Sequence, residues 1–131
     1  MNLKPVELLK NDTCITYALK RIGQEQLYPI DYDDLLNGET FISFPFNEEK
    51  LEVGDLLITE SNVRNTLRPM VINEHKQIVH KRVWSEWHVF VFEGEGLVSE
   101  VSRPDFYPEI ALMKISDIKP SKIVRLRNAV A

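Results

Sequence analysis

Three residue types scattered along the chain are able to do chemistry together: Cys14, His88 and Glu100. A thiol is a nucleophile once it is a thiolate, an imidazole can take and return its proton, and a carboxylate can hold the imidazole in one tautomer and orientation. Cys14 is the single cysteine, so it has no partner for an internal disulfide. It follows the capping residues Asp12 and Thr13 and opens the run Cys14-Ile15-Thr16-Tyr17-Ala18-Leu19-Lys20-Arg21-Ile22. In that run Cys14, Ala18 and Ile22 share one face at helical spacing. A helix starting there carries Cys14 in its first turn, where free N–H groups and the helix dipole favour a thiolate. The bland alternative is a small buried hydrophobe packed on the core.

His88 and Glu100 fall in Trp87 to Arg103, two apolar runs separated by Glu93-Gly94-Glu95-Gly96. That pattern predicts a β-hairpin. Glu100 lies twelve residues after His88. An even separation, carried through a regular turn, is expected to project both side chains on one sheet face. A bulge would reset that parity. Otherwise His88 is a half-exposed histidine at a strand start and Glu100 a solvent-facing carboxylate.

The elements that must position these residues read as helices first and strands after. Pro5 to Leu9 is expected to make one or two helical turns. Gly23 closes the Cys14 helix, and Asp31 to Gly38 reads as a short capped helix. Phe41 to Phe46 is extended, and Pro45 keeps it out of the middle of a sheet. Leu51 to Asp55 turns into a strand, Leu56 to Thr59, followed by a polar connection from Glu60 to Arg68. A further hairpin joins Met70–Asn73 to Ile78–Trp84. Arg103 to Pro108 is a loop, Ile110 to Ile115 a strand, Ser116 to Pro120 a turn, and Lys122 to Arg127 an alternating last strand. This order predicts an α+β class in a single domain over residues 1–131, with N-terminal helices packed on a mostly antiparallel sheet of about six strands.

Composition narrows the function. The 131 residues carry 44% hydrophobic and 27% charged residues, ordinary for a globular domain large enough to bury a core. A net charge of −4, with Lys and Arg dispersed, argues against a nucleic-acid partner. No apolar run reaches the length of about 20 residues that spans a bilayer. The first residues lack the basic and apolar regions of a secretory signal, which points to a cytoplasmic protein as synthesised. His75 and His80 lack companions at zinc-like spacing, so no metal and no cofactor is expected.

Three segments together resemble the NlpC/P60 and CHAP group of papain-like cysteine peptidases and amidases. Asp12-Thr13-Cys14-Ile15-Thr16-Tyr17-Ala18 is similar to the family's cysteine at the head of its first main helix. Leu51-Glu52-Val53-Gly54-Asp55-Leu56-Leu57 is similar to its Leu-x-x-Gly-Asp-Leu-Val approach to the first strand. His88-Val89-Phe90-Val91-Phe92-Glu93-Gly94-Glu95-Gly96 is similar to its His-Val-x-Ile-Tyr-x-Gly-x-Gly strand pair. The likeness spans about residues 10 to 103 and implies a papain-like fold. It also implies Cys14 as nucleophile, His88 as base and Glu100 as the residue orienting His88, and a peptide or amide substrate such as a cell-wall peptidoglycan peptide. A chain without a signal would reach that substrate by phage or effector-type delivery. The chain departs from the pattern in three places. Ile15-Thr16 stands where a small Ser-Gly pair is usual, which narrows the cleft at the thiol. Phe90 replaces a small residue, and the stretch from Asp55 to His88 is longer and holds the extra hairpin. A catalytically silent binding domain and an acyltransferase or thioesterase of the same fold are the other readings.

Overall fold

The computed structural model describes residues 3–60, 66–72, 78–83, 87–102 and 108–127. Two α-helices, α1 (Cys14–Arg21) and α2 (Tyr32–Asn37), precede eight strands. These are β1 (Phe41–Pro45), β2 (Leu56–Glu60), β3 (Thr66–Ile72), β4 (Ile78–Val83), β5 (Trp87–Gly94), β6 (Leu97–Ser102), β7 (Glu109–Lys114) and β8 (Lys122–Leu126). Six of them form one antiparallel sheet in the order β1-β8-β2-β5-β6-β7, and β3 pairs with β4 in a separate two-stranded sheet. The class is therefore α+β, with two helices and a six-stranded sheet.

Local chemistry explains the helix ends. Thr13 caps α1 in a reciprocal arrangement: its hydroxyl accepts from Thr16 N–H, and the Thr16 hydroxyl accepts from Thr13 N–H. Asp31 and Asp34 do the same for α2. Gly23, just past the Ile22 cap of α1, has φ +76, a left-handed conformation that glycine adopts without steric cost. The expected helix at Pro5 to Leu9 does not form; the segment has no regular structure. Five residues are too few to recover the cost of nucleation. The chain is held instead from outside, by Lys4 N–H donating to the Arg21 carbonyl and Leu9 N–H donating to Asp12. Pro45, with no N–H to give, ends the edge strand β1, as its type requires. β3 begins at Thr66, inside the stretch expected to be a connection, and pairs from Thr66 opposite Val83. His80 falls on β4, while His75, Trp84 and most of the Arg103–Pro108 loop lie outside the described residues.

The sheet is buried on both faces. On one, Tyr17, Ala18, Leu19 and Ile22 of α1 and Leu35 of α2 pack on Leu56, Ile58, Val89, Val91, Val101 and Val124. On the other, Leu57, Phe90, Phe92, Val98, Ile115 and Ile123 form a second cluster. Phe44 from one edge strand and Met113 from the other both pack on that second cluster. Asp55, 2% exposed, closes the turn before β2: its carboxylate accepts from Glu52 N–H and from Arg125 Nε and Nη2, both at 2.7 Å.

Candidate active site

Cys14, His88 and Glu100 come together where α1 meets β5 and β6. The bond directions in β5 show how. Phe92 N–H donates to Asp55 O, and Gly54 N–H donates to Phe92 O, so the backbone of Phe92 points toward β2. Strand alternation then aims the N–H groups of Val91 and Val89 toward β6. The β5–β6 ladder runs from Gly94 opposite Leu97 to Val91 opposite Ser99. Val89 lies beyond the last of these pairs, and its N–H favours the thiolate of Cys14. The thiol thus lies beside the stretch of β5 that precedes its first ladder pair with β6, against the helix-side core. From there it reaches His88 on the face away from the helices.

His88 sits opposite Thr59 of β2 and meets Phe90 edge-on, with ring centroids 4.7 Å apart. Its Nε2 is hydrogen-bonded to Glu100 Oε2. That contact leaves Nδ1 available, and His88 and the Cys14 thiol each favour the other's charged form. The His88 side chain is 35% exposed and that of Glu100 17%, so the ring can be reached by a substrate while its orienting carboxylate is shielded.

The shared face of His88 and Glu100 has a cause that differs from the expected one. The hairpin turns on Glu95-Gly96, with φ of 53 and 75, the two-residue geometry that suits strand twist. Carried along the strands, the Gly94–Leu97 register would set Glu100 opposite Val91. That is three residues from His88, hence the opposite face. A bulge between Phe92 and Gly94 shifts the register by one, so that Val91 lies opposite Ser99. Continued, this sets Glu100 opposite Phe90, two residues from His88 and on its face. The turn itself is regular; through it alone an even separation would put His88 and Glu100 on opposite faces, and the bulge supplies the parity.

The electrostatics are those of a coupled thiol–imidazole pair. Burial pushes the Cys14 thiol up, but His88 and the N–H groups of Val89 and Ile15 outweigh it and hold the thiol below its ordinary 9.0. Burial pushes the His88 imidazole down, but Cys14 and then Glu100 outweigh it and hold His88 above its ordinary 6.5. Both shifts favour thiolate beside imidazolium. Thr16, at a place where a small residue was expected, donates to Asp12 Oδ1 at 2.8 Å and helps build the cap under Cys14. Asp12, 4% exposed, also accepts from Leu9 N–H and Lys20 Nζ.

Two features next to the site went unread in the sequence. Tyr32 of α2 packs on Trp87, with ring centroids 5.0 Å apart, and its hydroxyl donates to Glu60, which lies opposite Trp87. Tyr17 and Ser99, 1% and 2% exposed, are joined by a hydrogen bond of 2.7 Å. The signal for the latter was a serine at a core-facing position between Val98 and Val101.

No group of three or more His, Cys, Asp and Glu side chains suited to a metal occurs among the described residues. No helix among them is long and apolar enough to cross a membrane. Comparisons with known protein families, with curated proteins and with solved structures give no match.

Proposed function

We propose that the chain is a papain-like cysteine hydrolase that cleaves an amide or peptide bond, with Cys14 as nucleophile, His88 as general base and acid, and Glu100 as the group orienting His88. One observation carries the reading. The thiol at the first turn of α1 interacts electrostatically with an imidazole that is itself hydrogen-bonded to a carboxylate. The chemistry follows from that order. The Cys14 thiolate attacks the carbonyl carbon, and the oxygen takes the negative charge near the N–H of Cys14, one of the unpaired donors of a helix start. The His88 imidazolium gives its proton to the leaving amine as the C–N bond breaks, which leaves a thioester on Cys14. Water then loses a proton to His88 and attacks the thioester, the acid departs, and the thiol is regenerated. The resemblance to NlpC/P60 and CHAP proteins makes cell-wall peptide the first substrate to try.

Alkylation of Cys14 by iodoacetamide across pH tests the reading without knowledge of the substrate. The rate is expected to rise through a midpoint well below the value of about 8.5 of a free cysteine. Cys14→Ala should then lose hydrolysis of peptide amides while keeping its melting temperature within a few degrees, since a half-buried thiol leaves only a small cavity. A midpoint at the free-cysteine value, or turnover that survives Cys14→Ala, rules the nucleophile out.

A further inference from the structure

One buried polar chain is not used by the chemistry above. Tyr17 Oη donates to Ser99 Oγ at 2.7 Å, and Ser99 Oγ donates to Glu93 Oε2 at 2.8 Å. Arg21 closes on the same carboxylate, Nη2 to Oε1 at 2.6 Å and Nε to Oε2 at 3.1 Å. A third Arg21 nitrogen donates to the Lys4 carbonyl at 2.8 Å. The chain of contacts begins three residues after Cys14 on the same helix, and it passes through the residue just before Glu100. It ends at Glu93, the position that the β5–β6 bulge leaves without a partner on β6.

We propose that Glu93 is a positioning residue: clamped by Arg21 and Ser99, its carboxylate holds the bulge that sets Glu100 on the face of His88 and ties that hairpin to the helix bearing Cys14. This rests on the reading of Cys14, His88 and Glu100 as a catalytic site. A bulge forgoes regular pairing, so some other interaction must favour it over the unbulged register. Here that interaction is a two-pronged guanidinium–carboxylate pair, with side chains 24% and 14% exposed, reinforced by a buried hydroxyl. The competing hairpin keeps the Gly94–Leu97 register throughout. It frees Glu93, leaves the Ser99 hydroxyl short of its acceptor, and turns Glu100 away from His88.

The test compares Glu93→Ala and Glu93→Gln with the parent, reading Cys14 alkylation against pH and the NMR titration of His88. Glu93→Ala is expected to move the alkylation midpoint up by about one pH unit, toward a free thiol, and to lower the His88 midpoint. Glu93→Gln keeps one acceptor oxygen, which can take Arg21 Nε and Ser99 Oγ but loses the Nη2 prong, and should recover about half of that shift. Should Glu93→Ala fail to fold, Ser99→Ala, which leaves Arg21 in place, is expected to move both midpoints the same way by less. Folded variants that melt earlier but keep both parent midpoints reduce Glu93 to a structural role and overturn the proposal. A parent protein whose own thiol alkylates like free cysteine overturns the catalytic reading first, and the positioning claim with it.

Discussion

Arg125 on β8 grips Asp55 through Nε and Nη2 at 2.7 Å each, and Arg21 on α1 grips Glu93 through the same pair of nitrogens at 3.1 and 2.6 Å. Both link segments far apart in sequence. Both carboxylates also accept a hydrogen bond from a neighbour, Glu52 N–H in one case and Ser99 Oγ in the other. They differ in burial and in place. The Asp55 side chain is 2% exposed and sits before β2, at the end away from His88. The Glu93 side chain is 14% exposed and sits where the hairpin register changes. Burial pushes the Glu93 carboxyl up, yet Arg21 and Ser99 outweigh it and keep it below its ordinary 4.5. The same pair of groups thus welds a sheet at one end and sets a register at the other. Where an ion pair stands decides whether its loss is felt as unfolding or as a misaligned site.

The largest effect is expected at the buried pair. Asp55→Ala removes the buried carboxylate that Arg125 grips twice, leaving it only the exposed Glu52 carboxylate and the Lys50 carbonyl, and should cost about 3 kcal/mol, measured by urea unfolding. The molecules that remain folded should alkylate Cys14 with the parent pH profile. A loss under about 1 kcal/mol would erase the contrast.

An intermediate effect is expected at the site, with the opposite signature. Glu100→Gln keeps a side chain of the same shape but removes the charge that helps hold His88 up, so the His88 midpoint should fall and turnover should slow by roughly tenfold to a hundredfold. The effect on stability has a defined sign. A raised imidazole pKa contributes stability that is complete below about 6.5 and is lost as pH rises through the folded value. The deficit of Glu100→Gln should therefore be greatest near pH 6 and fade in mildly alkaline solution. It should stay at or below about 1 kcal/mol because solvent screens a ring this exposed. A deficit that grows with pH would contradict the assignment.

The smallest effect sharpens the link between the two regions. Tyr17→Phe removes one donor from the buried chain and should cost about 1 kcal/mol. Thermal denaturation beside alkylation will show whether the thiol midpoint follows.

Much of this architecture was legible in local chemistry. Thr13 and Asp31 mark helix starts through their side-chain oxygens, Pro45 marks an edge, and the glycines of the hairpin mark its turn. Cys14 and His88 could be placed at a helix start and a strand start for the same reason. What could not be read depends on partners remote in sequence. The face shared by Glu100 and His88 depends on a one-residue bulge, and the bulge is bound up with Arg21, seventy-two positions before Glu93. A serine in a core-facing position looks like an interruption until Tyr17 arrives from another element. The Pro5–Leu9 segment has a helix-compatible composition but is tied down in another shape by Arg21 and Asp12.

Strand order carries a consequence for how the molecule is made. β8 lies between β1 and β2, although both precede it by more than sixty residues in the chain. A growing polypeptide can close the β5–β6 hairpin as soon as its turn has emerged, because that contact is local. β2 can pair with β5 earlier, but β1 has no strand neighbour, and β2 lacks its second, until Lys122–Leu126 has been synthesised. Closing such loops costs entropy before any contact repays it, and sheets built this way assemble slowly. The half-built chain therefore holds Phe41 and Leu56 without their β8 partners, and sheet completion belongs to the end of synthesis, when Arg125 brings the last clamp to Asp55.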